Sequence, residues 1–433
     1  MPSKEELSLC FVRLFRGDKS VFGLDGFRKY FANTGWLFLA QLFSMLIAFF
    51  VGVLVARHLG PNLYGIFNYA LSLSTIVGMF FCSSLDFALS RELIKRPEDK
   101  EKLLGTFWLI KLVGGLLTMV ISLAIAWVGH LDSLTIKLLV VLSVFYVFQS
   151  ANIIGLFFQA QVMAKRISQA QIISNIISSV IKIGWLFSGL GIVWLAAIYV
   201  FDIFLNGLFL LNFYQSAGER ISRWRFDRHE AGYILVRAWP LMLSGFLIYA
   251  ILRIDQVIIG FLLNKTAVGY YAVADRLTEI WDFIPKLICI SLFPAIISAH
   301  KASADLYEKR KKLLYLLMLA LSLAIVALVV LLARPVIIGL FGQEYQASVK
   351  VLQVYVLSLP GIFLFTAMNQ SLLAENREKI IFLANLLGLT INIVLNFILL
   401  PQFGLLGSAW ATVITFIFLP LFIFKLSSSR HKS

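Results

Sequence analysis

Long apolar runs constrain this chain more than any other feature of its sequence. About a dozen stretches are each long enough to cross roughly 30 Å of hydrocarbon as a helix rising about 1.5 Å per residue. Because backbone groups in lipid must satisfy their own hydrogen bonds, such uninterrupted runs predict helices. The predicted spans are residues 33–56, 64–90, 103–129, 134–158, 167–188, 191–214, 231–262, 267–298, 313–333, 347–374, 379–400 and 404–426.

The composition excludes a soluble globular protein. Hydrophobic residues make up 60% of the 433 positions, charged residues make up only 14%, and the mean hydropathy is +0.88. Soluble domains are about half apolar and about a quarter charged, so the excess apolar surface here has to face lipid. We therefore predict an all-α integral membrane protein with about twelve transmembrane helices.

The net charge of +15 is distributed unevenly between the connecting loops. Alternate loops hold nearly all the Lys and Arg, whereas the intervening loops offer little beyond Arg57, Lys265 and Arg334. By the positive-inside rule the basic loops are cytoplasmic, and an even number of spans places both termini there too. We expect an inner or plasma membrane location and no nucleic-acid partner. The basic loops contain Lys95, Arg96, Lys100, Lys102, Lys165, Arg166, Arg220, Arg223, Arg225, Arg228, Lys301, Lys309, Arg310, Lys311, Lys312, Arg377 and Lys379.

A repeated order of turns indicates two halves. Residues 59–65 follow the first span as residues 263–269 follow the seventh, and residues 191–197 and 404–410 open the last span of each half. The alternative is chance similarity between apolar segments. The predicted units are a cytoplasmic segment (1–32), a six-helix lobe (33–214), a cytoplasmic linker (215–230), a pseudo-symmetric six-helix lobe (231–426) and a cytoplasmic tail (427–433). The first unit is expected to be an amphipathic surface helix or a flexible tail.

Ionisable side chains inside spans indicate where function lies, because each costs at least a few kcal/mol when it faces lipid. The eighth span contains Asp275, Glu279, Asp282 and Lys286, which fall within about a 60° arc of one helix face. One interpretation is a polar stripe that lines a water-filled pathway between the lobes. The other is an internal ladder in which Asp282 and Lys286 pair at i, i+4. We favour the pathway, because three acids and one base do not neutralise each other.

The seventh span carries two opposite charges that cannot pair locally. Arg253 and Asp255 are two residues apart and point about 160° apart on a helix. Arg253 shares a face with Tyr249 and Gln256, which predicts a polar wall. Asp255 is expected to meet Arg276 on the next helix.

Further basic residues are expected to complete the cavity. Lys111 and Lys182 are isolated cations inside apolar runs that either line the cavity or extend to the membrane interface, and Arg237 lies in the seventh span. A cavity lined by Arg and Lys suits an anionic head group such as a pyrophosphate. The acidic stripe then either offsets these cations in the empty site or binds a coupling cation or proton.

No cofactor, metal site or catalytic domain is predicted. Cys10, Cys82 and Cys289 show no CxxC or Cys/His spacing, and we interpret them as small hydrophobic residues. No Walker motif or other phosphate-binding glycine loop indicates direct use of ATP. The outer connections, such as Gly129 to Leu134, are too short for the catalytic domain of a polymerase or ligase. The sequence therefore favours a transporter over an enzyme.

Several short motifs form a recognisable set. They are RAWPLMLS at 237–244, RIDQ at 253–256, VGYY at 268–271, WDFIP at 281–285 and LFP at 292–294, together with VARHLGP at 55–61, YG at 64–65, LFG at 340–342 and Tyr345. The set resembles the Wzx-type oligosaccharide flippases of the MOP superfamily, which also contains the MATE drug exporters. The likeness extends from about Asn33 to the last span and is most specific in the seventh and eighth spans.

The resemblance implies a MATE-like fold of two lobes. It also implies transport of polyprenyl-pyrophosphate-linked oligosaccharide repeat units to the outer leaflet, for O-antigen or other polysaccharide biosynthesis, with a role for Arg253, Asp255 and Arg276. A glycan polymerase and chain-length machinery are the protein partners it suggests. The alternative is a MATE-type cation-coupled multidrug exporter, whose cavity should be acidic and aromatic. Peptidoglycan-precursor flippases often carry extra spans, which this sequence does not show.

Overall fold

Helices account for nearly all of the described chain. The computed structural model describes residues 24–83, 85–375 and 377–428, and no strand occurs among them. Residues 1–23 of the predicted N-terminal segment and residues 429–433 of the predicted tail lie outside this range. The α-helices are α1 (Leu24–Gly78), α2 (Asp86–Lys95), α3 (Lys100–Val128), α4 (Ser133–Gln149), α5 (Ile153–Ala160), α6 (Ala164–Leu186), α7 (Ile192–Ser216), α8 (Arg228–Leu262), α9 (Lys265–Glu279), α10 (Phe283–Ala302), α11 (Ala304–Phe341), α12 (Ser348–Tyr355), α13 (Leu359–Ala374), α14 (Glu378–Phe403) and α15 (Leu405–Ser428).

Nine helical segments of the described residues are long and apolar enough to cross a membrane. Large apolar side chains cover their outer faces: Leu331 is 78% exposed and Val120 is 61% exposed, as expected of a surface that faces lipid. The all-α membrane class is therefore confirmed. One segment, Phe38–Cys82, is 45 residues long and is broken at Gly60, whose φ is +68°. The count of twelve spans and the division into two bundles of six stay predictions.

Breaks in the helices lie beside charged positions. A 3-10 turn at Ile280–Asp282 separates α9 from α10. Pro285, which lacks an N–H group, cannot bond to the carbonyl of Trp281, so the regular helix is interrupted there. The predicted stripe of the eighth span is thereby divided into two pairs. A π-helical turn at Met79–Ser83 similarly precedes Asp86, and such turns are frequent at functional sites.

Helices α1 and α9 approach each other closely at two glycines. A Cβ atom on Gly65 would overlap the carbonyl oxygen of Lys265, and one on Gly269 would overlap the carbonyl oxygen of Pro61. These four residues occupy equivalent positions in the repeated turns 59–65 and 263–269, so the contact is reciprocal. The two turns meet at the end of the molecule that the loop charges predict to be the outer one.

The predicted linker, residues 215–230, folds against the loop between α2 and α3 and the first turn of α3. The Arg96 guanidinium lies 2.6 Å from the Glu230 carboxylate, and the Lys102 amine lies 2.8 Å from the Asp227 carboxylate. The hydrogen bond from Lys102 holds the pKa of Asp227 below its ordinary value, and the bond to Glu230 raises the pKa of Arg96. Ion pairs therefore fix the linker to the first half of the chain.

Candidate functional site

A cavity of about 310 Å³ lies between the two predicted lobes. Helices α1, α4 and α7 form one wall, and α8 and α9 form the other. Arg253 and Glu279 are the charged residues of this lining. Its hydroxyl groups come from Ser74, Thr75, Tyr146, Tyr199 and Tyr249.

Arg253 joins α8 to α9 by two ion pairs. Its Nη1 donates to Asp275 Oδ2 at 3.2 Å, and its Nη2 donates to Glu279 Oε1 at 3.0 Å. The Asp275 side chain is 9% exposed, whereas that of Glu279 is 46% exposed and reaches the cavity. The first pair of the predicted stripe thus faces Arg253, with one carboxylate buried and the other accessible.

Asp275 is also fixed by two neutral donors. Gln256 Nε2 donates to it at 2.8 Å and Tyr355 Oη at 3.0 Å. Gln256 in turn accepts a hydrogen bond of 2.8 Å from Ser72 on α1. The predicted polar wall is therefore divided, because Arg253 lines the cavity and Gln256 is buried behind it, where it connects the two halves.

The second pair of the predicted stripe consists of Asp282, the last residue of the 3-10 turn, and Lys286 on α10. Within the described residues, Asp282 and Lys286 form no ion pair, so the internal ladder considered for the eighth span is absent. Asp282 Oδ1 is buried and has no hydrogen-bond partner in the described part of the chain, whereas Lys286 is exposed. Neither residue lines the central cavity.

The expected pairing of Asp255 with Arg276 is wrong. Arg276 donates to the backbone carbonyl of Ala48 and, at 3.4 Å, to the hydroxyl of Tyr64, both on α1. Its guanidinium occupies the space above Gly52, where a Cβ would overlap it. Arg276 points about 100° around α9 from Asp275, which faces α8, so Arg276 faces α1 instead. Arg276 is therefore a contact between the halves.

Asp255 is instead held by neutral donors in the interior of the second half. It accepts hydrogen bonds from Tyr271 at 2.6 Å, Thr412 at 2.5 Å and Asn396 at 2.7 Å. The Ser408 hydroxyl donates to the side-chain Oδ1 of Asn396 at 2.6 Å. Asp255 is 2% exposed, and no Lys, Arg or His of the described residues forms an ion pair with it. We call these five residues the Asp255 cluster.

Sequence reasoning missed the amides around this carboxylate. Asn392 and Asn396 are four residues apart inside an apolar run, and both are fully buried. Asn385, two helical turns before Asn392, is fully buried too. The Asn392 Nδ2 and both polar side-chain atoms of Asn385 have no partner among the described residues. The available signal was three asparagines on one face of a span, which a search restricted to charged residues does not detect.

The two lysines predicted to be isolated are both paired. Lys111 is buried and forms an ion pair with Asp86 at the start of α2. Lys182 Nζ lies 3.9 Å from the Asp202 carboxylate and 4.1 Å from the centre of the Tyr199 ring. Their acidic partners are ionisable residues within or beside predicted spans. Sequence reasoning did not include them among the site residues.

The cavity is therefore less basic than the sequence led us to expect. Arg253 is the one cation among the described residues that line it, and two carboxylates offset its charge. Backbone atoms place Arg237 on α8, but its side chain lies outside the described residues. Among the residues described, no group of three or more His, Cys, Asp or Glu side chains is placed to hold a metal ion.

Two protein families match this chain. The family described as "Polysaccharide biosynthesis protein" matches residues 30–300, and the family described as "MatE" matches residues 240–398. The first match covers most of the chain and includes the cavity. The second covers the charged helices of the second half.

Two curated relatives come from Haloferax volcanii. The probable flippase AglR is 31% identical over 171 residues, which are 37% of this chain and 35% of AglR. The probable low-salt glycan biosynthesis flippase Agl15 is 26% identical over 164 residues, 37% of this chain and 34% of Agl15. These alignments span about a third of each relative's length.

Solved structures of transporters share the fold. The lipid II flippase MurJ in an inward closed conformation superposes with a TM-score of 0.69 and 18% identity, covering 90% of this chain and 87% of MurJ. An inward-facing MATE family transporter of the MOP superfamily superposes with a TM-score of 0.72 and 15% identity, covering 90% and 96%. An outward-facing one gives 0.59 at 16% identity, covering 97% of each chain.

Proposed function

Because the chain belongs to the polysaccharide biosynthesis protein family of the MOP superfamily, we propose that it is a flippase for lipid-linked oligosaccharides. It moves polyprenyl-pyrophosphate-linked repeat units from the cytoplasmic to the outer leaflet by alternating access. The two curated relatives are themselves described as probable flippases, which supports the proposal. The observation that carries it is the Arg253–Glu279 ion pair in a cavity between the two halves.

Arg253 can exchange an internal carboxylate for the substrate. Asp275 holds one side of the guanidinium from a buried position, while Glu279 is 46% exposed. A pyrophosphate that enters the cavity replaces Glu279 and meets the planar guanidinium with two oxygens, which is the geometry that Arg recognises best. In the empty site Glu279 pairs with the Nη2 group of the guanidinium, which Asp275, paired with Nη1, leaves free.

The remaining lining suits the carbohydrate. A cavity of about 310 Å³ lies at the small end of the range for ligand sites. It therefore holds a head group and the first sugar, while the polyprenyl chain stays in the bilayer. Tyr146, Tyr199 and Tyr249 line it, and tyrosine side chains bind both the polar and the apolar parts of a sugar.

The close contact of α1 with α9 supports alternating access. In our proposal the close contact at Gly65 and Gly269 closes the predicted outer end. The fold superposes with a higher TM-score on the inward-facing transporter than on the outward-facing one, which supports this. In our proposal the helices separate at these glycines when the cavity opens outward. Arg276, which reaches α1 at Ala48, then releases its contact.

The buried charge of Asp255 supports coupling to a proton or a small monovalent cation. An uncompensated carboxylate in the interior is costly, and the free energy of binding a cation or proton offsets that cost. The Asp255 cluster supplies carboxylate, amide and hydroxyl oxygens, which are ligands for hard cations. Movement of α8 and α9 would carry this charge change to the cavity, since both helices contribute to both sites.

A drug exporter is the second candidate, and one observation favours it. The accessible carboxylate of Glu279 and the three cavity tyrosines form an acidic, aromatic lining, which is what a cationic drug requires. Arg253 opposes this candidate, because its positive charge repels a cation in the cavity, and a cation that displaced it from Glu279 would break one of its two ion pairs. Either activity is transport, and we propose that the protein catalyses no covalent reaction and uses no cofactor.

We further propose a location in the cell membrane with both termini in the cytoplasm. The basic residues of the linker support this orientation through the positive-inside rule. A glycan polymerase and chain-length machinery are proposed partners, because a flipped repeat unit must be polymerised on the outer side. The orientation is tested with single cysteines introduced into the linker and a thiol reagent that does not cross the membrane. Labelling of these cysteines in intact cells would reverse the proposed orientation.

The transport proposal is tested in proteoliposomes that contain a fluorescent polyprenyl-pyrophosphate-linked disaccharide. Dithionite added outside bleaches only the outer leaflet, so the protein should lower the protected fraction by exchanging the lipid between leaflets. Arg253→Gln should lower the affinity for the lipid by about 10- to 100-fold, the value of one or two charge-assisted hydrogen bonds. Lys379→Gln, an exposed cation outside the cavity, should behave as wild type.

Two outcomes distinguish the candidates. Wild-type exchange in Arg253→Gln would remove this residue from the site and with it the proposed head-group contact. If the proteoliposomes accumulate ethidium in response to an ion gradient but do not exchange the disaccharide lipid, the exporter is the correct assignment. Glu279→Gln should then abolish ethidium uptake, whereas a flippase should retain lipid exchange in this variant.

A further inference from the structure

A second, separate cavity opens at the C-terminal end of α11, opposite the basic N-terminal turns of this helix. It measures about 650 Å³ and lies between the last turns of α11, the start of α12 and the turn from α14 to α15. Its polar lining side chains are those of Arg334, Gln346 and Lys350. Phe403 and Leu405 contribute to its apolar wall. We call this cavity the α11–α12 groove.

The groove is basic and uncompensated. None of its lining residues is acidic, and in the part of the chain that the structure describes neither Arg334 nor Lys350 forms an ion pair. Both side chains are exposed. The nearest acid along the chain from Gln346 is Glu344, whose carboxylate faces Gly60 instead. An anion that enters the groove therefore meets two cations and an amide without competition from a carboxylate.

These cations lie on the side of the membrane where cations are scarce. The loop charges predict this end of α11 to be the outer one, opposite Lys309 and Lys312. Basic residues on the outer side of the membrane run against the positive-inside rule. Two of them in one cavity therefore indicate that they bind an anionic ligand. The surface beside the groove is apolar: Leu331 is 78% exposed and Phe403 is 61% exposed. The groove therefore lies at the boundary between lipid and water.

We propose that the α11–α12 groove binds the phosphate group of an anionic glycerophospholipid of the outer leaflet. Arg334 and Lys350 bind the phosphate, and Gln346 donates its amide to a phosphate or glycerol oxygen. The acyl chains extend along Leu331 and Phe403. Basic pockets between membrane helices bind lipid head groups in this way.

A resident phospholipid fits the groove better than the transported lipid does. The groove shares no lining residue with the central cavity, which is formed by α1, α4 and α7 to α9. It opens outward from the second half and does not lie between the halves. The site therefore does not depend on the proposed transport activity.

Native mass spectrometry of the whole protein tests this site. Protein is released from micelles that contain equal amounts of phosphatidylglycerol and phosphatidylcholine, and bound lipids are counted. Wild type should retain phosphatidylglycerol selectively. Each basic side chain near a lipid phosphate contributes about fivefold to affinity, so the double variant Arg334→Gln/Lys350→Gln should bind about 25-fold more weakly. The matched control Lys309→Gln/Lys379→Gln removes the same charge from the opposite end.

Every outcome bears on the site. Loss of selective binding in the groove variant with retention in the control supports it. Equal retention in both variants, or equal loss in both, overturns it, as does binding of phosphatidylcholine as strongly as phosphatidylglycerol by wild type. A competition experiment with a polyprenyl pyrophosphate tests the choice of a phospholipid. If the polyprenyl pyrophosphate binds the wild-type groove more tightly than phosphatidylglycerol does, and so displaces it, that choice is overturned. Lipid exchange by the groove variant at the wild-type rate would show that the transport proposal stands separately.

Discussion

Substitution of Gly269 by alanine tests the contact between the two halves most directly. A Cβ at this position would overlap the carbonyl oxygen of Pro61, which is a backbone atom and cannot move aside without moving α1. Gly65, the equivalent residue of the repeated turn, meets the carbonyl oxygen of Lys265 in the same way. Either alanine must therefore push the two helices apart at the predicted outer end.

The expected magnitude follows from two opposing effects. Alanine gains about 1 kcal/mol over glycine within a helix, whereas overpacking a close contact costs about 1–3 kcal/mol. At Gly269 the net effect on the free energy of unfolding is thus a loss of as much as about 2 kcal/mol. Gly339 lies in α11 with nothing within 4 Å of its Cβ position, so Gly339→Ala should show only the gain.

The measurement is reversible unfolding in mixed micelles of dodecylmaltoside and SDS. Gly269→Ala should be less stable than Gly339→Ala by about 1–3 kcal/mol. Because one alanine already separates the helices, the double variant Gly65→Ala/Gly269→Ala should cost less than the sum of its two single variants. A Gly269→Ala protein stabilised as much as the Gly339→Ala control would refute the close contact and the outer closure built on it.

Three further predictions concern buried and linker charges. Asp255→Asn should fold but transport at a rate independent of any proton or sodium gradient, measured in proteoliposomes; gradient dependence that survives would exclude this carboxylate from coupling. Lys182→Met should destabilise the protein by about 1–3 kcal/mol in mixed micelles, and adding Asp202→Asn should recover most of the loss, because the uncompensated carboxylate causes it. Because Lys102 lowers the pKa of Asp227, this pair stabilises the linker at neutral pH and is lost as pH falls through the lowered pKa. In Lys102→Gln the pair is absent at every pH, so linker amides should exchange hydrogen faster than in wild type at neutral pH, and the difference should shrink as the pH falls through the lowered pKa; equal exchange at neutral pH would contradict the pairing.

The sequence predicted the class of fold because lipid imposes a simple rule. Apolar runs of sufficient length must be helical, and Leu331 and Val120 do face outward. It could not predict where those helices break. The π-helical turn at Met79–Ser83 depends on packing between helices that are far apart in the chain, which periodicity along one helix does not encode.

Of the charged residues predicted to line the cavity, Arg253 and Glu279 do so among the described residues, and the predicted partners were less accurate. The predicted need of Arg253 for a partner outside its own turn is met by Asp275 and Glu279 on the next helix. The partner chosen for Asp255 was wrong, because helical geometry gives the direction of a side chain about its own axis but not the register of the neighbouring helix. Hydroxyl and amide donors, such as Thr412, were overlooked because they carry no charge.

The different surroundings of Asp255 and Asp275 lead us to propose different tasks for them. Both are buried and both accept hydrogen bonds from tyrosines, but Asp275 has the guanidinium of Arg253 beside it and Asp255 has no cation partner among the described residues. In our proposal Asp275 orients the guanidinium of Arg253 for an anionic substrate. An uncompensated carboxylate favours a proton or a cation, whose arrival changes the charge of the interior by a full unit. Tyr271 on α9 binds Asp255, and Glu279 at the end of the same helix binds Arg253. In our proposal this one helix therefore connects the ion site to the substrate site.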